Sequence, residues 1–264
     1  MHKPRKAATA STTFAFPDEH TMSPKEAPTM NTSASKQILV WDLPVRVFHW
    51  LLVFSFAGAF LTAESERWAL VHVTLGYTVA ALVVFRLFWG VVGTRTARFA
   101  SFVRGPAAMW GYLKSLVSGT PAHHTGHNPA GALAIVALLG LAAVVTASGW
   151  LQYQDLGPRW LEELHEGAAN AMLLLVGVHV LAVVVSSWLH RENLVRAMFS
   201  GRKAGPADQG IRRAWRPLGA MLLVGVLGFW AWEWTHPPAA LESAAADGRA
   251  RALSHDNHNG NDSD

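Results

Sequence analysis

Five apolar runs, each long enough or nearly so to cross a lipid bilayer, dominate this chain and leave few folds open to it. They extend from about Val45 to Ala63, Trp68 to Val92, Ala130 to Leu151, Leu164 to Leu189 and Pro217 to Trp234. A spanning helix needs roughly 20 such residues. Charged residues make up only 15% of the chain, against about 25% in an ordinary soluble domain. The expected class is all-α, an integral membrane protein. The last run is the shortest and stands apart behind the basic stretch 201–216, with Pro217 suited to a helix's first turn, where its missing donor is no loss.

The flanks read differently. Residues 1–36 are rich in Ala, Ser, Thr, Pro and Lys and lack a continuous apolar region, so they read as a disordered leader rather than a secretory signal. Met22 and Met30 stand as alternative starts. The expected organisation is a leader at 1–36, a helical core at 37–204, a basic linker with the fifth span at 205–236 and a disordered tail at 237–264. The net charge of +4 and pI near 9.7 would suit a nucleic-acid partner, but the basic residues sit beside the apolar runs, where they set topology. One side of the expected membrane holds Arg46, Arg86, Arg95, Arg98, Arg104, Lys114, Arg191, Arg196, Arg202, Lys203, Arg212, Arg213 and Arg216. The other holds Arg67 and Arg159, beside Glu64, Glu66, Asp155, Glu162, Glu163 and Glu166. This asymmetry puts the N-terminus and the 93–129 loop in the cytoplasm, and the short acidic loops and the tail outside. The segment Phe99–Gly119 reads equally as an amphipathic interfacial helix or an ordered loop.

Four histidines fall inside the spans: His49, His72, His165 and His179. Ionisable side chains in hydrocarbon are costly and mark function by default. His165 and His179 are fourteen residues apart, about 21 Å of rise and nearly four whole turns, so both leave one helix face. His49 starts the first run and His72 the second, and consecutive spans reverse direction. The pairs expected are His49 with His179 and His72 with His165, one per leaflet, as two stacked bis-histidine haem sites. The chain has no Cys, which removes thiolate ligation, iron–sulfur clusters and covalent haem attachment. Zinc is the rival metal, but its sites usually recruit carboxylates or thiolates, and none lies at these depths. Gly58, Gly76 and Gly177 could admit a porphyrin, or could equally serve helix packing. Arg46 is placed to meet a haem propionate, or equally to signal topology. Trp50 and Trp68 are candidate interface anchors. His123, His124, His127, His190, His236, His255 and His258 lie in loops, at helix ends or in the tail.

The run Trp41-Asp42-Leu43-Pro44-Val45-Arg46-Val47-Phe48-His49-Trp50 resembles the first-helix signature of the bacterial cytochrome b561 and nickel-hydrogenase b-type cytochrome family. Val71-His72-Val73-Thr74-Leu75-Gly76-Tyr77 is similar to its second-helix ligand segment, and His165-Glu166 with His179 to its fourth-helix pair. Gly126-His127-Asn128-Pro129-Ala130-Gly131 and Leu189-His190-Arg191-Glu192-Asn193-Leu194-Val195-Arg196 also match. The resemblance covers residues 38 to about 203. It implies a four-helix bundle holding two non-covalent haem b groups in the bacterial cytoplasmic (inner) membrane. It also implies a bound quinone and electron transfer between the quinone pool and a periplasmic partner, a c-type cytochrome or hydrogenase. The fifth helix departs from the minimal pattern. Two other readings stay open: a self-sufficient superoxide:quinone oxidoreductase, suggested by small members of that family, and a haem-free membrane scaffold or transporter.

Overall fold

The computed structural model of the chain describes residues 36–103, 105, 107, 110, 111, 114, 129–189 and 191–236. Apart from Lys36, the expected leader and the tail lie outside the described residues, as does most of the expected interfacial helix, of which Phe99–Ser101 forms a 3-10 turn. Five long helices carry the apolar runs: α1 Leu43–Thr62, α2 Ala69–Val92, α3 Pro129–Tyr153, α4 Trp160–Leu189 and, after a short α5 at Leu194–Ser200, α6 Arg216–Thr235. All five are long and apolar enough to cross a membrane. The fold is all-α and membrane-integral, with two additions that the sequence did not signal: α5, and a ribbon of β1 Lys36–Leu39 and β2 Arg202–Gly205.

α4 starts at Trp160, four residues before the apolar run. Glu162 and Glu163 fill its first turn, where carboxylates interact favourably with the helix dipole. The connections 63–68 and 154–159 share one end of the bundle, here the short-loop end. The ribbon, residues 93–103 and the α4–α5 turn occupy the other, the ribbon end.

α1 packs along α2, α2 along α3, and α3 along α4, while neither α1 nor α2 lies against α4 along its length. The bundle core joins Phe48 and Leu51 of α1 to Val79, Leu82 and Val83 of α2, Leu139 and Ala142 of α3 and Met172 of α4. The fifth span, set apart in sequence, is not set apart in space. α6 runs along α1, with Gly219 against Leu43 and Val226 in the core. The Trp230 indole also donates to Thr78 Oγ1 of α2 at 2.8 Å. Hydroxyls such as those of Thr78 and Ser148 donate back to carbonyls four residues earlier, on Thr74 and Val144, which satisfies them in hydrocarbon. Ser55 Oγ of α1, by contrast, is fully buried with no hydrogen-bond partner.

The ribbon end is closed by a clasp on Asp42, which is fully buried. Its carboxylate caps α1 by accepting from the Val45 amide at 2.9 Å, and also accepts from the Trp89 indole at 3.1 Å and Thr94 Oγ1 at 2.6 Å. One side chain thus ties the start of α1 to the end of α2. β1 and β2 pair antiparallel from Lys36↔Gly205 to Leu39↔Arg202, so the strand begins at the last residue of the expected leader. Gly201 links them with a left-handed φ of 77°; a Cβ there would come 2.6 Å from the Trp41 carbonyl oxygen. The Gly201 carbonyl accepts from the amides of Val40 and Trp41.

Two basic residues counted as topology signals are not loop charges. Lys203 is buried in the ribbon and ion-paired to Glu192 at 3.1 Å. Arg86 lies inside α2, 3% exposed.

Candidate functional site

α2 and α4 both start at the short-loop end, which brings His72 and His165 face to face. Their ring centroids are 6.2 Å apart with planes 72° apart. Each ring holds Nδ1 against a main-chain carbonyl of the preceding antiparallel helix. His72 Nδ1 lies 2.8 Å from the Ala59 oxygen on α1, and His165 Nδ1 lies 2.9 Å from the Val145 oxygen on α3. A carbonyl can only accept, so Nδ1 carries the proton and Nε2 keeps a free lone pair in each ring. A second hydrogen bond of this kind is what orients histidine ligands in metal sites generally. With a metal–imidazole bond of about 2 Å, two trans rings have centroids roughly 6 Å apart, and this pair has that spacing.

Gly149 makes room for the arrangement. A Cβ there would come 2.7 Å from His165 Cε1, and Ser148 Oγ lies 3.4 Å from His165 Nδ1. Sequence reading missed both residues and the two carbonyls. A main-chain acceptor has no letter of its own, and Gly149 is signalled only as a glycine across a short turn from a ligand candidate.

His49 on α1 and His179 on α4 are the second expected pair, linked by an electrostatic interaction without the ring contact that joins His72 to His165. The His49 Nδ1 is buried and has no hydrogen-bond partner. Trp50 meets the His49 ring edge-on at 5.2 Å and stacks on Phe199 of α5 at 4.2 Å. Its indole nitrogen is buried without a partner, and Trp50 as a whole is half-buried, whereas Trp68 is exposed under the Arg67 guanidinium. Arg46 reaches α5 instead of a carboxylate, donating from Nε to the Met198 carbonyl at 3.2 Å.

Of the three glycines, Gly58 faces Leu75, where a Cβ would approach to 2.6 Å, and so serves helix contact. Gly76 and Gly177 have nothing within 4 Å of a Cβ position, so they face open space rather than a packed helix. His236 stacks on Trp232 at the end of α6, away from both pairs, and the remaining histidines lie outside the described residues. No group of three His, Asp or Glu converges as a metal site among the described residues.

A donor set of two imidazoles, His72 and His165, each with Nε2 unengaged, fits an iron porphyrin, which these two rings would hold. The open flanks at Gly76 and Gly177 and the unpartnered His49 Nδ1 fit the same group. Held by two histidines, the iron would supply one-electron redox chemistry.

Such a helical membrane bundle, offering histidine pairs and no cysteine, defines a membrane b-type cytochrome. The chain belongs to the prokaryotic cytochrome b561 family, whose sequence pattern matches residues 40–201. It is 26% identical over 213 residues to a probable Ni/Fe-hydrogenase B-type cytochrome subunit of Azotobacter vinelandii, covering 62% of this chain and 87% of that one. A protein of the same description from Rhizobium leguminosarum bv. viciae is 22% identical over 219 residues, covering 64% and 89%. No solved structure matches the chain significantly.

Proposed function

We propose that this chain is a dihaem b-type cytochrome that carries electrons across the cytoplasmic membrane between the quinone pool and a periplasmic redox partner. The observation that carries the reading is the opposed His72 and His165 rings, 6.2 Å apart with both Nδ1 atoms engaged and both Nε2 atoms free. His72 and His165 hold one haem near the short-loop end; His49 and His179 hold the other near the ribbon end. Each haem supplies a one-electron iron couple, while the protein fixes ligation, orientation and a low-dielectric shell. Ala59 and Val145 lock two of the ligand rings through their carbonyls, and Arg46 stands beside the ribbon-end site as the side chain for a propionate. The core domain is 37–204, and the linker with α6 follows at 205–236.

The basic residues around the ribbon end support a cytoplasmic position for it by the positive-inside rule. The short-loop end then faces the periplasm. The hydrogenase-subunit descriptions of the relatives support a hydrogenase-like partner there, with a c-type cytochrome as the other candidate. The deciding experiment is a pyridine haemochrome assay with a visible redox titration of the purified chain. About two haem b per polypeptide, removable by acid–organic extraction, are expected. One haem or none sinks the reading.

A further inference from the structure

Arg86 is the charge in this molecule least explained by topology. It is 3% exposed, and its Nη1 is buried with no hydrogen-bond partner. The Phe99 ring covers the guanidinium, its centroid 4.6 Å from Cζ. Among the described residues no carboxylate forms an ion pair with it. The acid within its electrostatic range is Asp42, whose oxygens are already taken by Val45, Trp89 and Thr94. An arginine stays protonated in a protein, and an ion buried in a membrane helix without a bonded partner is costly unless it acts on something.

Its level in the bundle identifies what it acts on. α2 and α4 run in the same direction, and His72 on one faces His165 on the other. Fourteen residues further along each helix come Arg86 and His179. Fourteen residues are about 21 Å of rise and within about 40° of whole turns. Arg86 therefore continues the His72 face of α2 to the depth of the His49–His179 pair. At the His72–His165 end the charged residues are the exposed ones of the short loops and the half-buried Glu233 of α6, which acts on Tyr77; none of these is a buried cation.

We propose that Arg86 is a fixed positive charge that raises the reduction potential of the haem held by His49 and His179, and so separates it from the other haem. The inference rests on the dihaem reading. Reduction adds one electron to the iron, so a nearby cation favours the reduced form. Burial keeps that interaction from being screened by water and salt. Arg86 touches no reacting atom in this account; it acts through its field.

The test uses the full chain loaded with haem, counted before titration, with the ribbon-end component assigned by its loss in His179→Ala. Arg86→Gln is expected to lower the midpoint potential of that component and to leave the other near its original value. Arg86→Lys, which keeps the charge, is expected to titrate like the unaltered chain. Asp42→Asn, which removes the opposing charge, is expected to move the same component upward, and it carries the test should Arg86→Gln fail to retain haem. Two haems with an unmoved ribbon-end potential, or an equal shift in both components, overturns the proposal for Arg86 alone. Fewer than two haems in the unaltered chain overturns the dihaem reading and the proposal with it.

Discussion

A histidine ring that gives one nitrogen to a carbonyl has only the other left for a metal, and this division of labour sets the chemistry at the His72–His165 pair. Replacing either His72 or His165 by Ala is expected to remove the same redox component, and replacing His49 or His179 the other. Redox titration of the four variants checks this, and loss of one component in both His72 and His179 variants would overturn the pairing. Gly149→Ala carries a second prediction. The new methyl would sit 2.7 Å from His165 Cε1, so the ring must turn or withdraw, loosening its 2.9 Å contact with Val145. The low-spin electron paramagnetic signal and potential of the short-loop-end haem should shift while the other haem keeps both. The meeting of His72 and His165 was legible in sequence because ionisable groups are rare in apolar runs and consecutive spans reverse direction. Their carbonyl partners were not legible, since any residue supplies a carbonyl. Arg86 was legible as a basic residue near the end of a span, but its burial was not, because sequence gives distance from a helix end and not burial.

Helices were more legible than what fastens them. The five spans follow from runs of apolar residues, whose length alone specifies a helix across a bilayer. The ribbon did not follow, because its strands are four residues each, lack alternation, and pair Leu39 with Arg202 across most of the chain. The packing of α6 on α1 was hidden for a related reason: Gly219 meeting Leu43 and Trp230 meeting Thr78 are contacts between distant segments. The Asp42 clasp belongs to the same class, and its first-helix signature reads, in structure, as a fastening between helices. Asp42→Ala removes an N-cap, which costs about 1 kcal/mol. It also leaves the buried Trp89 donor unpaired, at roughly 1–3 kcal/mol. A loss of about 3 kcal/mol is expected, read as a lowered thermal transition of the detergent-solubilised holoprotein. Haem content at low temperature should be unchanged, because the clasp lies outside both histidine pairs.

The whole molecule is electrically polar, and the two ends ask different things of their surroundings. Reporter fusions at Gly119 and beyond His236 should give opposite signals, with the first cytoplasmic; matching signals would mean that α6 does not span. At the short-loop end Glu64, Glu66, Asp155, Glu162, Glu163 and Glu166 are all exposed, against Arg67 and Arg159. None of them forms an ion pair among the described residues, so their field is not cancelled locally. Such a surface steers a partner carrying a basic patch around its own cofactor, and steering across exposed charge weakens with salt. Reversing Glu162 and Glu163 to Lys tests this directly. Both lie in the first turn of α4, where cations oppose the helix dipole at about 0.3–1 kcal/mol each, a cost too small to unfold a spanning helix. Both haem spectra should therefore stay unchanged. Electron exchange with a basic periplasmic cytochrome at low ionic strength should slow by about tenfold, and the gap between variant and unaltered chain should close as salt is added. Unaltered exchange at low salt would remove the acidic docking surface and favour a cytochrome that turns over by itself against superoxide and quinone.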